Sequence, residues 1–207
     1  MNLIAVTGID GCGKSTHVRR LATRAVAAGG LPLPTLSVWD IARHPRYQHH
    51  PFICDRAAVH QYLATLSGGA RALFVMHGLL ESWALLSPDE QGVVLADGYW
   101  YKYVLTEHLH GENLDWLLGV AGRLPTPKYT VLLDLDPAVA WRRKPRVTPY
   151  ECGFKNPGEV TFIAFQTRLR EQLLALAARE RWRVVDVDRP EDAVAADLDR
   201  IVREVTQ

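Results

Sequence analysis

The chain has 207 residues, which is long enough to bury a substantial hydrophobic core. Hydrophobic residues make up 48% of it and charged residues 23%, the ordinary balance of a soluble globular protein, and the formal net charge of +1 excludes a global basic field that would attract nucleic acid or anionic membranes. Three scattered cysteines indicate neither a disulfide framework nor a metal site, and no apolar run approaches the ~20 residues that cross a bilayer. We therefore expect a cytoplasmic protein without nucleic-acid or membrane partners.

The first half of the chain predicts three strands separated by helices and loops. The apolar run NLIAVT is typical of a buried strand, and the stretch that begins at Lys14 predicts a helix with one apolar face. PLPTLSVW predicts a second strand, and a long polar loop, DIARHPRYQHHPF, follows it. Two helices are expected at about residues 53–66 and 70–86, with Gly68 and Gly69 between them. GVVLAD predicts a third buried strand that ends in an acid.

The second half of the chain adds two strands and more helices. YKYVLTEHL and LDWLLGVAG predict helices, YTVLLDLD predicts a fourth strand, and a short helix with the sequence AVAWRRK follows Pro137. The segment PRVTPYECGFKNPGE predicts a loop, and after it come a long amphipathic helix, a fifth strand, WRVVDVD, and a terminal helix. Five buried strands that alternate with helices predict one α/β domain over residues 1–207, with three α/β/α layers and a mostly parallel sheet. Ligands of such sheets bind at the carboxyl ends of the strands.

A glycine-rich stretch, GIDGCGKST, stands between the first strand and the first helix. Gly8, Gly13, Lys14 and Ser15 match the spacing G-x-x-x-x-G-K-[ST]. The glycines allow backbone N–H groups to curl around phosphates, Lys14 reaches the β- and γ-phosphates, and the Ser15 hydroxyl binds Mg²⁺. The position of the stretch between a strand and a helix is the context that this motif requires, so we expect a bound nucleoside triphosphate.

The same stretch resembles the phosphate loop of thymidylate kinases, because it carries an acid at its third position, Asp10, and ends in Gly-Lys-Ser-Thr. The likeness continues along the chain. ALFVMHGLLE is similar to the family's helix in which an aromatic residue, here Phe74, stacks on the acceptor base. VVLADGYWYKY falls where the family has a strand that ends in Asp-Arg-Tyr, and LLDLDPAVAWRRK and FQTRLREQLLALA are similar to its basic lid and the helix after the lid.

The resemblance implies a P-loop nucleoside triphosphate hydrolase fold with a five-stranded parallel sheet, and a homodimer. It also implies phosphoryl transfer from ATP, with Mg²⁺, to a nucleoside monophosphate, dTMP before others, under a lid of about residues 144–158. Because the loop carries Gly11 and Cys12 and no arginine, the catalytic arginines are expected in or beside the lid, at Arg143 and Arg146. A solvated basic helix end is the alternative for these arginines. By the same resemblance Asp10 approaches the acceptor sugar.

Two arginines that bind the acceptor phosphate in this family are absent, because their positions hold Gly78 and Gly98. Lys102 is one replacement donor, and the loop after the second strand offers Arg43 and Arg46, with His44 and His77 as weaker candidates. A kinase acting on a modified nucleotide or a hydroxyl acceptor, or a nucleotide-binding regulator without catalysis, therefore remains open beside the dTMP kinase.

Two further positions have an alternative each. Asp97 closes the third strand and is expected to hold Mg²⁺ through water, unless it is only a helix N-cap. Tyr99 and its aromatic neighbours either shape the acceptor pocket or form the core face of a helix. The expected site residues are Lys14, Asp97, Arg143 and Arg146 for catalysis; Gly8, Asp10, Gly11, Cys12, Gly13, Lys14, Ser15, Thr16 and Arg143 for the donor; Asp10, Arg43, Phe74, Tyr99 and Lys102 for the acceptor; and Ser15 and Asp97 for Mg²⁺.

Overall fold

Five parallel strands form the centre of the protein, as the sequence predicts. A computed structural model describes residues 2–27, 32–47, 49, 56–86 and 92–206. The strands lie in the order β2-β3-β1-β4-β5, so the first strand of the chain is the central one. Their bounds are β1 Asn2–Thr7, β2 Thr35–Leu36, β3 Val93–Asp97, β4 Tyr129–Asp134 and β5 Arg183–Asp186.

Helices cover both faces of the sheet, which explains why the strands read as continuous apolar runs. Successive residues of β1 alternate between two hydrophobic clusters: Ile4 and Val6 belong to one, and Leu3 and Ala5 to the other. The first cluster includes side chains of α1, α7 and α8, and the second includes side chains of α3, α4 and α5. The described α-helices are α1 Lys14–Ala27, α2 Arg56–Thr65, α3 Gly68–Ala84, α4 Trp100–Leu109, α5 Leu114–Ala121, α6 Pro137–Arg143, α7 Glu159–Arg179 and α8 Glu191–Thr206.

The glycines that were expected to separate two helices instead begin the second one. Gly68 and Gly69 are the first residues of α3, and the Arg71 N–H donates to the Ser67 carbonyl oxygen. A Cβ atom on Gly68 would clash with the carboxylate of Glu112, so glycine at this position allows the α4–α5 connection to contact the start of α3. The predicted break between two helices is confirmed, but it lies at Leu66 and Ser67, and the glycines belong to the first turn of α3, where Gly68 makes this close contact.

The region after the first helix differs from the sequence prediction in two respects. The second strand is only two residues long, and the polar loop after it folds into two short 3₁₀ helices, Asp40–Arg43 and Pro45–Tyr47. Residues 53–55 of the predicted second helix lie outside the described residues, and α2 begins at Arg56. Within the described ranges, no helix is long and apolar enough to cross a lipid bilayer.

Candidate active site

A cavity of about 810 Å³ runs along the carboxyl edge of the sheet. The phosphate loop after the central strand lies in its middle, and β3 places Asp97 beside this loop because Asp97 pairs with Val6 of β1. The β2 side of the cavity is lined by the first 3₁₀ helix, α2 and α3. The opposite side is lined by the segment that connects β5 to α8 and by the end of α6. The cavity therefore has a β2 end and a β5 end, with the phosphate loop between them.

The phosphate loop has the curled backbone that its glycines predict. Gly11 and Gly13 have φ angles of 87° and 89°, in the left-handed region that favours glycine. The Lys14 ammonium lies inside the curl and donates to the carbonyl oxygens of Gly8 at 3.0 Å and Ile9 at 2.7 Å. All loop residues from Asp10 to Thr16 line the cavity, so the structure brings the predicted donor-binding residues together.

Asp10 is held on two sides inside the cavity. Its carboxylate accepts a hydrogen bond from the Lys102 ammonium at 3.0 Å, and its backbone N–H donates to Gln166 Oε1 at 3.0 Å. Burial raises the pKa of Asp10, but the positive charges of Lys102 and Lys14 outweigh burial and lower the pKa to about 2. Asp10 is therefore ionised at neutral pH, and two of the predicted acceptor-side residues form one ion pair.

Gln166 of α7 connects the phosphate loop to the predicted lid and was not predicted as a site residue. Its side-chain amide nitrogen donates to the Glu151 carbonyl oxygen at 2.9 Å. The Glu151 carboxylate in turn accepts hydrogen bonds from the Lys144 ammonium at 2.9 Å and from the Thr148 backbone N–H at 2.8 Å. The sequence signal was the polar residue at a buried position of α7, where Gln166 is fully buried.

The middle of the predicted lid packs against the protein, while its later residues are exposed. Residues Pro149–Cys152 form a 3₁₀ helix, in which Cys152 is buried in the first hydrophobic cluster and Tyr150 lines the cavity. Phe154 is 39% exposed, but its ring centroid lies 4.4 Å from the guanidinium of Arg71 and 4.6 Å from the ring centroid of His110. Residues 155–157 are exposed. The predicted lid of about residues 144–158 is therefore anchored through its middle, at Cys152 and Phe154.

His110 gives this anchor a pH dependence that can be measured. Its ring stacks on Phe165 at 4.8 Å, and burial together with the positive charges of Arg71 and Lys102 lowers its pKa from 6.5 to about 4. His110 therefore binds a proton more readily in the unfolded chain than in the folded one. The contribution of neutral His110 to the free energy of unfolding is fully present above pH 6.5 and is lost as the pH falls toward 4. We expect His110→Phe to flatten this part of the stability curve, measured by urea unfolding at pH 7 and pH 4.5. The exposed His77→Gln serves as the control, and parallel curves for wild type and His110→Phe would contradict the assignment.

The two predicted lid arginines lie in different places. The Arg143 guanidinium donates to the Val187 carbonyl oxygen and to the Asp188 carboxylate, both at 3.1 Å, and lines the β5 side of the cavity. Arg146 is exposed and is not among the residues that line the cavity. Arg143 thus lies at the β5 end of the cavity. Any contact of Arg146 with a ligand requires movement of the segment that carries it.

The β2 end of the cavity is aromatic and apolar. Phe74 is half-buried in its wall, with the Tyr62 ring packed edge-on at 5.7 Å, and Trp39 lines the same end. Phe74 therefore lines the cavity, and its stacking on an acceptor base stays a prediction. The Arg43 side chain lies outside the described residues, and exposed Arg46 lies 3.7 Å from the Glu81 carboxylate.

Tyr99 packs in the core and does not line the cavity. The side chain is fully buried, and its hydroxyl donates to the Pro125 carbonyl oxygen at 2.7 Å. Of the two alternatives for the aromatic stretch after β3, the core face of a helix is correct for Tyr99. Lys102 and Tyr103, from the same stretch, do line the cavity.

Both positions where arginines were expected favour glycine, for different reasons. A Cβ atom on Gly78 would lie 2.8 Å from Val38 Cγ2 and 3.1 Å from the Val38 carbonyl oxygen, so α3 packs directly on the segment after β2. Gly98 has a φ angle of 68°, in the left-handed region, although the nearest atom to a Cβ there, the Tyr103 hydroxyl oxygen, would be 3.7 Å away. Close packing therefore disfavours a side chain at position 78, and the backbone conformation disfavours one at position 98.

A buried ion pair lies beside the β2 end of the cavity, and it was not predicted from the sequence. The Arg71 guanidinium binds the Glu107 carboxylate through two nitrogens, at 3.0 Å from Nε and 2.7 Å from Nη2. The Arg71 side chain is 5% exposed and that of Glu107 is not exposed. Both residues belong to mainly apolar helices that carry other charges as well, Glu81 in α3 and Lys102 in α4, so the sequence did not single out this pair.

The parallel sheet, the phosphate loop after its central strand and the two-ended cavity define a kinase of the P-loop class, a nucleotide-binding phosphotransferase. The chain is 30% identical to the thymidylate kinase of Deinococcus radiodurans over an alignment of 212 positions, which covers 94% of this chain and 93% of that protein. The chain belongs to the thymidylate kinase family.

Two archaeal relatives extend over nearly the whole chain. The probable thymidylate kinase of Pyrobaculum aerophilum is 25% identical over an alignment of 222 positions, which covers 100% of this chain and 99% of that protein. The probable thymidylate kinase of Pyrobaculum calidifontis is 26% identical and covers 96% of this chain and 94% of its own. The chain matches no protein-family model. These relatives support phosphoryl transfer involving a nucleotide as the activity of this enzyme.

Proposed function

We propose that the enzyme transfers the γ-phosphoryl group of ATP to a nucleoside monophosphate, with dTMP as the acceptor, and works as a homodimer of single-domain chains. The observation that carries the proposal is the two-ended cavity, in which Lys14 of the phosphate loop lies between an aromatic end that contains Phe74 and an end lined by Arg143 and Val187. A phosphoryl transferase requires this arrangement, because donor and acceptor must meet at the phosphate loop from opposite sides.

The donor end fits a triphosphate with Mg²⁺. The backbone N–H groups of the phosphate loop and the Lys14 ammonium would hold the phosphates. Hydroxyl and carboxylate oxygens are ligands that Mg²⁺ prefers, and Ser15 and Asp97 supply one of each in the same cavity. The ion would neutralise charge on the phosphates. Arg143, which is already fixed by Val187 and Asp188, would contact the donor nucleotide.

The acceptor end fits a nucleotide whose base packs against Phe74. Asp10 is ionised and lies where an acceptor sugar would approach the phosphate loop, and Lys102 beside it is the nearest replacement for the missing arginines. An acceptor phosphate oxygen is already a nucleophile, so no general base is needed. The first part of the lid, from Lys144 to Thr148, would exclude water so that transfer to the acceptor outcompetes hydrolysis.

A second candidate function has its own support at the acceptor end. Three cations of the cavity wall each have a carboxylate partner: Lys102 pairs with Asp10, Arg71 with Glu107 and Lys144 with Glu151. The Val38 contact fills the space beside Gly78 as well. Because these cations are already paired with carboxylates, the wall offers little free positive charge for a 5′-phosphate dianion. It would therefore suit an acceptor without that dianion, such as a nucleoside hydroxyl, or a modified nucleotide.

One assay separates these candidates. ADP formation from ATP and Mg²⁺ is measured across a panel of nucleoside monophosphates and the matching nucleosides, with Lys14→Ala as the control for contaminating kinases. Activity with dTMP supports the first candidate. Activity confined to nucleosides selects the second, and ATP binding without turnover on any acceptor would overturn both in favour of a regulator.

The positions of Arg143 and Arg146 lead to a prediction about the lid. Replacing both by alanine should lower kcat/KM for ATP by about a hundredfold, because positive charge around the transferred group is lost. Stability should change little, since both side chains are exposed. Single variants measured in the same assay should assign most of the loss to Arg143, which lines the cavity. Unchanged rates in the double variant would remove both arginines from the mechanism.

A further inference from the structure

One buried histidine of the cavity wall has no part in the function proposed above. His17 is the fourth residue of α1, and its backbone N–H donates to the Gly13 carbonyl oxygen at 3.0 Å, which closes the first turn of the helix. The residue is 6% exposed and still lines the cavity. A polar ring buried at the start of the helix after a phosphate loop calls for a physical reason, because apolar side chains fill such positions at lower cost.

The ring lies directly against the phosphate loop. A Cβ atom on Gly13 would lie 3.4 Å from His17 Cδ2 and 3.7 Å from His17 Nε2, so the Cδ2–Nε2 edge faces the Gly13 backbone. Gly13 has a φ angle of 89° and no side chain, and the ring edge can therefore approach the loop backbone closely. The Nε2 edge of the ring therefore lies next to the loop backbone that would surround a bound phosphate.

The ring is neutral at physiological pH. Burial lowers the pKa of His17, Glu191 opposes the shift, and the positive charges of Arg20 and Arg143 add to it. Among the described residues, none hydrogen-bonds the buried Nδ1 atom. With Nδ1 enclosed by protein, Nε2 is the nitrogen of this ring that can meet a ligand in the cavity.

The position along the cavity indicates which part of a ligand would lie there. Phe74 marks the β2 end, and Val187, Arg189 and Glu191 mark the β5 end. The charges of Glu191 and Arg143 act on the His17 ring, and Arg20 of the same helix pairs with Glu191, so His17 lies on the β5 side of the phosphate loop. A donor whose terminal phosphates lie in the loop must pass His17 before its base reaches the β5 end. We infer that His17 Nε2 hydrogen-bonds an oxygen of the donor nucleotide, in its sugar or α-phosphate portion, and thereby sets donor affinity. This inference rests on the donor half of the proposed function.

Three variants test the hydrogen bond and separate it from packing. His17→Gln places an amide nitrogen near the position of Nε2, His17→Asn keeps a polar atom only near Nδ1, and His17→Leu keeps neither. Binding of ADP and of inorganic tripolyphosphate is measured by titration calorimetry without any acceptor, and the melting temperature of the free enzyme is recorded for each variant. The calorimetric arm needs no turnover.

We expect His17→Leu and His17→Asn to weaken ADP binding by about tenfold, the usual loss for one hydrogen bond, while His17→Gln stays within about threefold. Tripolyphosphate binding distinguishes the two portions: it should fall in parallel with ADP binding if the oxygen belongs to the α-phosphate, and should stay unchanged if the oxygen belongs to the sugar. The melting temperature of His17→Leu should be equal or higher because an unpartnered polar atom is removed. Wild-type affinity for ADP in His17→Leu, or equal losses of ADP affinity in His17→Leu and His17→Gln, would each overturn the inference. An enzyme that binds ADP in this pattern but transfers to no acceptor would overturn only the acceptor half of the proposed function.

Discussion

Replacing Lys14 with alanine should lower kcat by about a thousandfold or more while the protein stays folded. The Lys14 ammonium is at the centre of the phosphate loop, within 3.0 Å of two loop carbonyl oxygens, and no other described lysine or arginine lies inside that curl. Phosphoryl transfer depends on positive charge placed next to the transferred group, so its loss acts on the transition state. The measurement is ADP formation with saturating ATP and the best acceptor from the assay panel.

Stability should be nearly unchanged in Lys14→Ala, because the side chain is only half-buried and the hydrogen bonds it makes are to loop carbonyls. Lys128→Ala is the matched control. Lys128 precedes β4 at the opposite end of that strand from the cavity, with its ammonium 5.7 Å from the Tyr129 ring, and should leave kcat unaltered. Thermal unfolding of both variants checks the fold. Normal turnover in Lys14→Ala would mean that the phosphate loop is not the site of transfer.

Breaking the buried pair beneath the acceptor end should produce the largest loss of stability. Arg71→Met leaves the Glu107 carboxylate buried without its partner, and we expect the free energy of unfolding to fall by about 3–5 kcal/mol. The double variant Arg71→Met/Glu107→Leu should recover most of this loss, since two apolar side chains of similar volume replace the two charges. Urea unfolding of the wild type and both variants measures the effect.

The exposed pair between Arg200 and Asp197 provides the control for that series. Arg200→Met should change the free energy of unfolding by less than about 1 kcal/mol, because both side chains remain largely hydrated. If Arg71→Met also lowered the free energy of unfolding by less than about 1 kcal/mol, protonation of Glu107 or contacts with other groups would be compensating for the lost partner, and the prediction would be wrong. Because Arg71 also lines the cavity, the double variant further shows whether acceptor affinity needs the charge of Arg71.

The parallel sheet was predictable because each strand is buried on both faces and so has a continuous apolar run. Ile4 and Leu3 face opposite clusters but are equally apolar, which is the pattern of a strand between two helical layers. The break expected at Gly68 and Gly69 lies at Leu66 and Ser67 instead, and the glycines have another role. Glycine frequency marks turns on average, whereas here Gly68 accommodates the Glu112 side chain from a distant part of the chain.

The sequence by itself determined the phosphate loop, which forms the donor half of the proposed site. The spacing of Gly8, Gly13, Lys14 and Ser15 is a local property, since the residues are close along the chain and their backbone angles follow from their own identities. A strand before them and a helix after them are also local patterns. The phosphate loop was therefore predictable without knowledge of any contact between distant segments.

Only the tertiary structure decided the acceptor half, because it is assembled from segments that lie far apart in the sequence. Tyr99, just before α4, points into the core, while Lys102 in the first turn of α4 points toward Asp10, although both belong to one aromatic stretch. The contact of Val38 with Gly78 disfavours an arginine at position 78. Burial and pairing across the fold select which of these side chains reach the cavity, and neither can be read from the order of residues along the chain.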